Sequence, residues 1–444
     1  MISFGTDGIR GVANAELTPE LALALGVAYM NIVGPGSDVL IARDTRVSGT
    51  MLSAALAAGL ASGGANVIDV GVMPTGSLAF LCSHMAVPGA VISASHNPYL
   101  DNGIKIFGAG GRKLTDQEES DLERLLIEVT SSGARGRSSD VGTIVSRDLS
   151  RLYIGHVEEV VERRFTEGIK VAVDFANGAA FPIAKDLLDT LGCDVVASLG
   201  NFPDGYNINK GVGSTAPHVL ADLVLQSKAD VGLAFDGDAD RLIAVSNLGA
   251  VIDGDDLLAL FALDMSDRGV LAKDALAVTV MSNMGLELFL KDKGIACFRT
   301  NVGDRYVLEA MEEHSLTLGG EQSGHIIFSQ YATTGDGLLS AALLLELLGR
   351  KGIRFSDLLQ GSFQRYPQVL NNLSIDHGKE VVNLQEVSDA ISELSDALGD
   401  RGRILVRPSG TEPVVRIMVE ALTQELAEQL AKEIEEIIRS VTRK

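Results

Sequence analysis

Runs of β-branched and aliphatic residues recur along the chain, and each leads into a polar or glycine-rich loop and then a helical pattern. This alternation occurs three times with little sequence identity between the copies, and it predicts three parallel α/β units. The strands that begin these units are Val39–Ala42, Val171–Val173 and Ala277–Val280. In each unit the loops follow the carboxyl ends of strands, which is where open α/β sheets bind ligands.

The last part of the chain has a different pattern. Gly402–Val406 and Val414–Val419 flank a loop short enough for an antiparallel pair, and an amphipathic helix follows from about Leu426 to Val441. We therefore expect α/β domains at 1–150, 151–250 and 251–365 and an α+β domain at 366–444.

Charge and composition limit the classes of function. The 444 residues are 46% hydrophobic and carry 37 Lys and Arg against 59 Asp and Glu, a formal charge of -22. Such a chain is globular and poorly suited to binding nucleic acid or an anionic membrane. The amino terminus lacks the pattern of a signal peptide, which favours the cytoplasm. Cys82, Cys193 and Cys297 are far apart and predict buried thiols rather than disulfides or a zinc site.

A serine follows one predicted buried strand. Ser93–Pro98 reads Ser-Ala-Ser-His-Asn-Pro after the apolar run 88–92, and Asn97-Pro98 predicts a turn that exposes the Ser95 hydroxyl. The Gly-x-Ser-x-Gly pattern of hydrolases is absent here, so a phosphoryl group on Ser95 is favoured over an acyl group.

An acidic turn follows a second predicted strand. Asp236, Asp238 and Asp240 alternate around Gly237 and can converge on one hard cation. A calcium EF-hand is excluded by Arg241 where that loop needs Gly, and a solvated turn is the alternative interpretation. A magnesium ion suits phosphoryl transfer from serine.

Two later loops have the composition of a phosphosugar site. Arg407–Pro413 combines a guanidinium, hydroxyls and a glycine, and Arg401, Arg403, Arg407 and Arg416 form a local basic cluster. Gly320–His325 places Glu321 and Ser323 two residues apart, a spacing able to bind adjacent sugar hydroxyls. A Pro-Gly turn and a loop salt bridge are the alternatives.

Together these loops resemble one family, the α-D-phosphohexomutases, which move a phosphate between two hydroxyls of a hexose. The resemblance extends from Gly5–Gly11 to Arg407–Pro413, with the motifs in the order of the family. It implies three similar mixed-sheet α/β domains and a smaller α+β C-terminal domain that surround a central cleft. These domains would carry, in order, the phosphoserine, metal, sugar-binding and phosphate-binding loops.

The resemblance also implies a role for each candidate residue. The catalytic set would be Ser95, as the phosphoserine, with Arg10, His96, Lys105 and Arg241. The substrate contacts would be Glu321, Ser323, His325, Arg407, Ser409, Gly410, Thr411 and Arg416. One Mg²⁺ per subunit would bind Ser95, Asp236, Asp238 and Asp240.

With Gln at position 322, the loop Gly320–His325 resembles the branch of the family that acts on glucosamine phosphates. Mannose and glucose mutases commonly carry Met at this position. The expected reaction interconverts glucosamine 6-phosphate and glucosamine 1-phosphate, with a hexosamine 1,6-bisphosphate as intermediate and activator, and feeds UDP-N-acetylglucosamine synthesis. A small phosphosugar is the expected partner, and a homodimer is one candidate assembly. Phe235, Ala239 and Gly76 depart from the family pattern. A phosphomannomutase or phosphoglucomutase, a non-catalytic sugar-phosphate sensor and a metal-dependent phosphatase remain alternatives.

Overall fold

Four β-sheets follow one another along the described part of the chain. The computed structural model describes residues 8–133, 141–375, 377–408 and 414–442. Each sheet is built from consecutive strands, so each corresponds to one stretch of sequence.

The first sheet combines parallel and antiparallel strands. Its elements are β1 (Ile9–Val12), β2 (Asp38–Arg43), β3 (Asn66–Val72), β4 (Gly89–Ile92), β5 (Asp101–Phe107) and β6 (Ile144–Ser146), with helices α1 (Pro19–Val33), α2 (Val47–Ser62), α3 (Thr75–Met85) and α4 (Asp116–Ser132). The strand order is β1-β5-β4-β2-β3-β6; β2, β3, β4 and β6 are parallel, whereas β5 runs antiparallel to β1 and β4. Helices α1 and α2 approach so closely at Gly59 that a Cβ there would lie 2.1 Å from the Leu23 carbonyl oxygen.

The second sheet ends in an antiparallel hairpin. Its elements are β7 (Lys170–Asp174), β8 (Asp194–Leu199), β9 (Val231–Phe235), β10 (Leu242–Ser246) and β11 (Val251–Ile252), with α5 (Ser150–Val160), α6 (Arg163–Thr166), α7 (Phe181–Thr190) and α8 (Pro217–Ser227). The order is β11-β10-β9-β7-β8, and Phe235 pairs with Leu242 across the hairpin. Residues 236–241 therefore form the tight connection between β9 and β10.

The third sheet repeats this plan with fewer strands. Its elements are β12 (Ala275–Thr279), β13 (Ala296–Thr300), β14 (Leu318–Gly320) and β15 (Ile326–Phe328), with α9 (Gly254–Asp267), α10 (Met284–Asp292), α11 (Asp304–His314), α12 (Gly337–Lys351), α13 (Phe355–Leu358) and a 3₁₀ turn at Ala272–Asp274. The order is β13-β12-β14-β15. Gly320 pairs with Ile326, so residues 321–325 close a hairpin.

The fourth sheet is antiparallel and smaller. Its elements are β16 (Gln368–Ser374), β17 (Gly402–Pro408) and β18 (Val414–Ala421), with α14 (Gly378–Val382), α15 (Gln385–Leu398), α16 (Gln424–Thr442) and a 3₁₀ turn at Gly399–Arg401. Strand β18 lies between β16 and β17. The apolar face of α16, including Leu430, Ile434 and Ile438, packs into the core of this domain.

Two compact units contain these sheets. One comprises the described residues up to 281 together with 297–361, and the other comprises 282–296 with the described residues from 362 onward. The second unit thus combines the fourth sheet with helix α10.

The predicted fold class is confirmed: three α/β domains with mixed sheets precede a smaller α+β domain. The domain limits at 150, 250 and 365 stay predictions. Cys82 and Cys193 are buried as expected, but Cys297 is partly exposed because it lies on β13, an edge strand. None of the helices in the described part of the chain combines the length and apolarity that a membrane span requires.

Candidate active site

Ser95 lies in the turn that follows strand β4. Its backbone is in the left-handed region, with φ of 51°. This conformation is sparsely populated by residues other than glycine, so its surroundings must hold it in place. The side chain is buried, and Oγ donates a hydrogen bond of 2.5 Å to Asp236 Oδ2.

The acidic turn between β9 and β10 faces this serine. Asp236, Asp238 and Asp240 are all buried, and one carboxylate oxygen from each lies within 4.8 Å of the others. Burial, followed by the charges of Asp240 and Asp238, raises the pKa of Asp236 well above its ordinary value. Gly237 has to be glycine, because a Cβ there would lie 2.4 Å from the Ser95 carbonyl oxygen.

The acidic turn fits a hard divalent cation. Asp238 Oδ1 and Asp240 Oδ1 are buried, and neither takes part in a hydrogen bond in the described structure. Buried carboxylate oxygens without a donor are costly unless a cation binds them. Oxygen ligands of this kind suit Mg²⁺. These aspartates, with the adjacent Ser95 Oγ, could therefore hold a metal ion.

Two cations border the acidic turn. Lys105 on β5 is buried, and its Nζ lies 2.8 Å from Asp238 Oδ2 and 3.5 Å from Asp240 Oδ2. Arg241 Nε lies 4.0 Å from Asp236 Oδ2 and 3.8 Å from Asp240 Oδ1. Burial disfavours ionisation of Asp240, but Lys105 and His325 hold its pKa well below the ordinary range.

His96 is neutral at physiological pH. Burial, followed by the charges of Arg241 and Arg10, lowers its pKa to about 4. Its Nδ1 lies 3.5 Å from Ser95 Oγ. Both arginines are thus near enough to affect the ring beside the serine, while His96 itself adds no positive charge.

The hairpin turn 321–325 of the third sheet reaches the same site. Glu321 Oε1 accepts a hydrogen bond from the Gly303 amide at 3.1 Å, and Ser323 Oγ is buried without a hydrogen-bond partner. His325 is only 3% exposed, with Nδ1 3.6 Å from Asp240 Oδ2 and Nε2 accepting the Gly335 N–H at 2.9 Å. His325 is thus placed to orient Asp240, and little of its ring is open to a substrate.

The second unit contains the predicted phosphate clamp. Arg407 on β17 lies directly opposite Arg416 on β18 in the antiparallel register. Burial, followed by the charge of Arg416, lowers the pKa of Arg407. Two like charges directly opposite each other destabilise a sheet, and an anion bound between them would relieve the repulsion. Ser409, Gly410 and Thr411 of the predicted clamp lie outside the described residues.

Two further residues contact the site, and neither was assigned a role from the sequence. Thr75, at the start of α3, donates its hydroxyl to Asp238 Oδ2 at 2.7 Å. Asn209 donates from Nδ2 to the carbonyl oxygens of Ser95 and Asn97 at 2.9 and 3.1 Å. The signal available for Thr75 was its place at the carboxyl end of β3, the same sheet edge as Ser95.

Comparison with known proteins agrees with this geometry. The chain matches four families described as phosphoglucomutase/phosphomannomutase alpha/beta/alpha domain I at 1–132, domain II at 151–249, domain III at 253–366 and the C-terminal domain at 370–437. The fold and site thus define a phosphohexomutase.

Relatives that match nearly the whole chain indicate which kind of phosphohexomutase this is. The phosphoglucosamine mutase of Desulforudis audaxviator (strain MP104C) is 48% identical over 445 residues, covering 99% of this chain and 97% of that protein. The phosphoglucosamine mutase of Alkaliphilus metalliredigens (strain QYMF) is 46% identical over 428 residues, with 95% of each chain covered. This chain belongs to the phosphoglucosamine mutase family, a family of isomerases.

Solved structures share the fold. A phosphoglucomutase/phosphomannomutase family protein from Burkholderia thailandensis superposes with a TM-score of 0.80 at 27% identity, covering 99% of this chain and 98% of that one. The N-acetylphosphoglucosamine mutase of Aspergillus fumigatus, solved with GlcNAc-6P and magnesium, has a TM-score of 0.70 at 16% identity and covers 100% and 96%.

Proposed function

We propose that this protein interconverts glucosamine 6-phosphate and glucosamine 1-phosphate by means of a phosphorylated Ser95. Phosphoserine gives its phosphoryl group to the free hydroxyl of the bound sugar, which forms glucosamine 1,6-bisphosphate. The intermediate reorients and returns its other phosphate to Ser95. The product would supply UDP-N-acetylglucosamine synthesis in the cytoplasm.

One observation carries this proposal. Ser95 Oγ lies 2.5 Å from Asp236 Oδ2, at the edge of a buried cluster of carboxylates that could hold a metal. Phosphoryl transfer asks little covalent chemistry of a protein beyond positioning and charge stabilisation. A serine beside a cation site, with Lys105 and Arg241 at its border, meets both demands.

The residues of the first unit divide these tasks. Asp236, Asp238 and Asp240, with an oxygen of Ser95 or its phosphate, would hold Mg²⁺. When bound, Mg²⁺ would neutralise charge on the phosphoryl oxygens. Arg10 and Arg241 add positive charge near the same group, and neutral His96 can accept a hydrogen bond. Glu321 and Ser323 would bind sugar hydroxyls.

Lys105 has two candidate roles. As a proton-transfer partner it would exchange a proton with the sugar hydroxyl. Its ion pairs with Asp238 and Asp240 support the second role, which is to hold the metal ligands in place.

The fourth domain would grip the phosphate that is not reacting. Paired Arg407 and Arg416 supply adjacent guanidinium groups suited to a phosphate dianion. The two phosphates exchange places during each cycle, so the clamp must tolerate two orientations of the sugar. A fourth domain that can move would meet that requirement.

Activity on mannose or glucose phosphates is the second candidate, because the same residues serve any hexose phosphate. Initial rates with glucosamine 1-phosphate, mannose 1-phosphate and glucose 1-phosphate, measured with Mg²⁺ and a hexose bisphosphate, separate the two. We expect a clear preference for glucosamine. A preference for mannose or glucose would keep the mechanism and overturn the substrate.

Ser95→Ala tests the mechanism itself. The variant should lose steady-state turnover and gain no phosphate by intact mass, while its far-UV circular dichroism and melting temperature stay close to those of the wild type. Substantial mutase activity in this variant would exclude the phosphoserine route. Release of inorganic phosphate by the wild type in place of isomerised sugar would identify a phosphatase.

A further inference from the structure

Arg46 lies beneath the Ser95 loop, at the carboxyl end of strand β2 and next to helix α2. Its side chain is fully buried, and its guanidinium donates to backbone carbonyls of the segment 95–101. Nη2 donates to the carbonyl oxygens of Ser95 at 2.9 Å and Asn97 at 2.8 Å. Nη1 donates to that of Asp101 at 3.0 Å and also to that of Pro98.

Asp44 holds Arg46 in this orientation. The Asp44 carboxylate is fully buried, accepts from Arg46 Nε at 2.8 Å and accepts from the Arg46 amide at 2.9 Å. It also accepts the Ser93 hydroxyl at 2.7 Å, and Ser93 Oγ in turn accepts the Ser95 amide at 2.9 Å. The pair therefore reaches both backbone polar groups of Ser95: its carbonyl through Arg46, and its N–H through Ser93.

These contacts act on a residue with an unfavourable backbone. Ser95 has a positive φ of 51°, and a non-glycine residue keeps such a conformation only where its surroundings over-determine it. Asn209 adds a second donor to the Ser95 carbonyl, and Gly237 leaves room for that oxygen. Rotation of this peptide would move Oγ away from Asp236.

A buried ion pair is by itself weak evidence for a role in stability, since desolvation offsets much of its attraction. The pattern of acceptors is more informative. Each hydrogen bond described for the Arg46 side chain goes to Asp44 or to a carbonyl between 95 and 101. The pair is therefore directed at one loop, the loop that carries the proposed nucleophile.

We propose that Arg46, oriented by Asp44, is a positioning residue that aims Ser95 Oγ for phosphoryl transfer. This inference rests on the proposed function of Ser95. Arg46 does not touch the sugar or the phosphate in this assignment. It acts through the backbone, by keeping the loop in the strained conformation from which Oγ meets the acidic turn.

Arg46→Lys is the first test, because lysine keeps the charge but its single nitrogen cannot bridge carbonyls that the planar guanidinium spans. The rate at which glucose 1,6-bisphosphate phosphorylates Ser95, followed by intact mass, should fall roughly 100-fold, the order expected for a misplaced reacting group. KM for the phosphosugar should change much less than kcat. Hydrogen exchange in a peptide spanning 93–101 should become faster.

Arg43→Lys is the matched control. Arg43 is the last residue of strand β2, three positions before Arg46, and pairs with Asp69 at 3.0 Å, in a pair that is partly open to solvent. This variant should keep the phosphorylation rate and the exchange of the 93–101 peptide. If Arg46→Lys does not fold, Ser93→Ala replaces it. This change removes the acceptor for the Ser95 amide and one donor to Asp44, leaves Arg46 in place, and should also slow phosphorylation.

The outcomes separate this inference from the proposed function. A phosphorylation rate for folded Arg46→Lys within about threefold of the wild-type rate would overturn the positioning role. So would faster exchange throughout the first sheet, which would make the pair a general structural element. Wild-type protein that phosphorylates Ser95 but isomerises no glucosamine phosphate would refute the substrate and leave the positioning test valid.

Discussion

Replacing Asp236 by Asn tests whether the acidic turn is built for a cation at the expense of stability. Asn keeps the shape of the side chain and removes its charge. If the three carboxylates are held together for a metal, removal of one charge should make the metal-free protein more stable. The same change should abolish turnover, because a metal ligand and the partner of Ser95 are lost together.

The charges around Asp236 set the size of the effect. Carboxylate oxygens within 4.8 Å repel each other by about 3.5 kcal/mol per pair at an effective dielectric constant of about 20, which is about 7 kcal/mol for two neighbours. Arg241, 4.0 Å away, offsets about 4 kcal/mol of this repulsion. The side chain of Asn has only one oxygen, so it cannot accept hydrogen bonds from both the Ser95 hydroxyl and the backbone N–H of Arg241. Loss of one of these hydrogen bonds costs about 1 kcal/mol. At a pH where Asp236 is ionised, the net expectation is a stabilisation of about 2 kcal/mol without divalent cation.

The assay is urea unfolding in EDTA and again in Mg²⁺. In wild-type protein, Mg²⁺ at about 100 times its Kd should add about 2.7 kcal/mol to the free energy of unfolding. In Asp236→Asn this increment should nearly vanish, while the value in EDTA exceeds that of the wild type.

Asp174→Asn is the matched control. Asp174 is a buried carboxylate at the end of β7 in the same sheet, and it accepts N–H groups from Gly213 at 2.6 Å and Ala176 at 3.0 Å. This variant should keep the full response to Mg²⁺. The reasoning is refuted if Asp236→Asn is less stable than the wild type in EDTA, or if Mg²⁺ stabilises both proteins equally.

Two further predictions concern other parts of the molecule. Arg407→Ala should raise KM for the phosphosugar more than it lowers kcat, because the clamp binds ground state and transition state alike. Arg439→Ala, at an exposed arginine of α16 that pairs with Glu435, is the control; unchanged saturation kinetics for Arg407→Ala would mean that the loop is only a turn. Burial raises the pKa of Asp336 from its ordinary 3.8 to about 6. The native state then holds this proton more tightly than the unfolded chain, so stability falls as pH rises from about 4 to about 6, by about 3 kcal/mol. Asp336→Asn keeps an acceptor for the Leu339 N–H at the start of α12 and should remove this slope in melting temperatures between pH 4 and 7; an unchanged slope would contradict the assignment.

Much of the fold could be predicted from hydrophobic pattern. Continuous apolar runs such as Val231–Phe235 mark strands buried on both faces, and these correspond to central strands of the sheets. The pair β17 and β18 was predicted, but other antiparallel strands were harder to recognise. Strand β5, Asp101–Phe107, is mostly buried yet contains Asp, Asn, Gly and Lys, because Lys105 pairs with the acidic turn and Asn102 donates to the Ser48 hydroxyl. Strand β16 was not predicted, since all but one of its residues are half-exposed or exposed on one edge of the fourth sheet.

The candidate site could also be predicted only in part. Local sequence motifs indicated Ser95, the three aspartates and the Glu321 turn, because the spacing of residues within a motif determines which groups share a loop. The residues that support them were not visible. Thr75 meets Asp238 across 163 positions of sequence, and Asn209 meets Ser95 across 114. The expectation that His325 binds substrate came from its motif, whereas its burial against Asp240 became apparent only in the structure.

The sequence by itself determined the order of sheets, the residue types at each strand end and therefore the class of chemistry. The pattern of hydrophobic positions and the short motifs are local properties of the sequence, so a single sequence is enough to identify them. Tertiary structure decided which strand ends meet, how Ser95 is held in a left-handed conformation, and which carboxylate oxygens have no hydrogen-bond donor. Hydrogen bonds and ion pairs act over about 3 Å, and only the packing of distant segments brings their partners within that range.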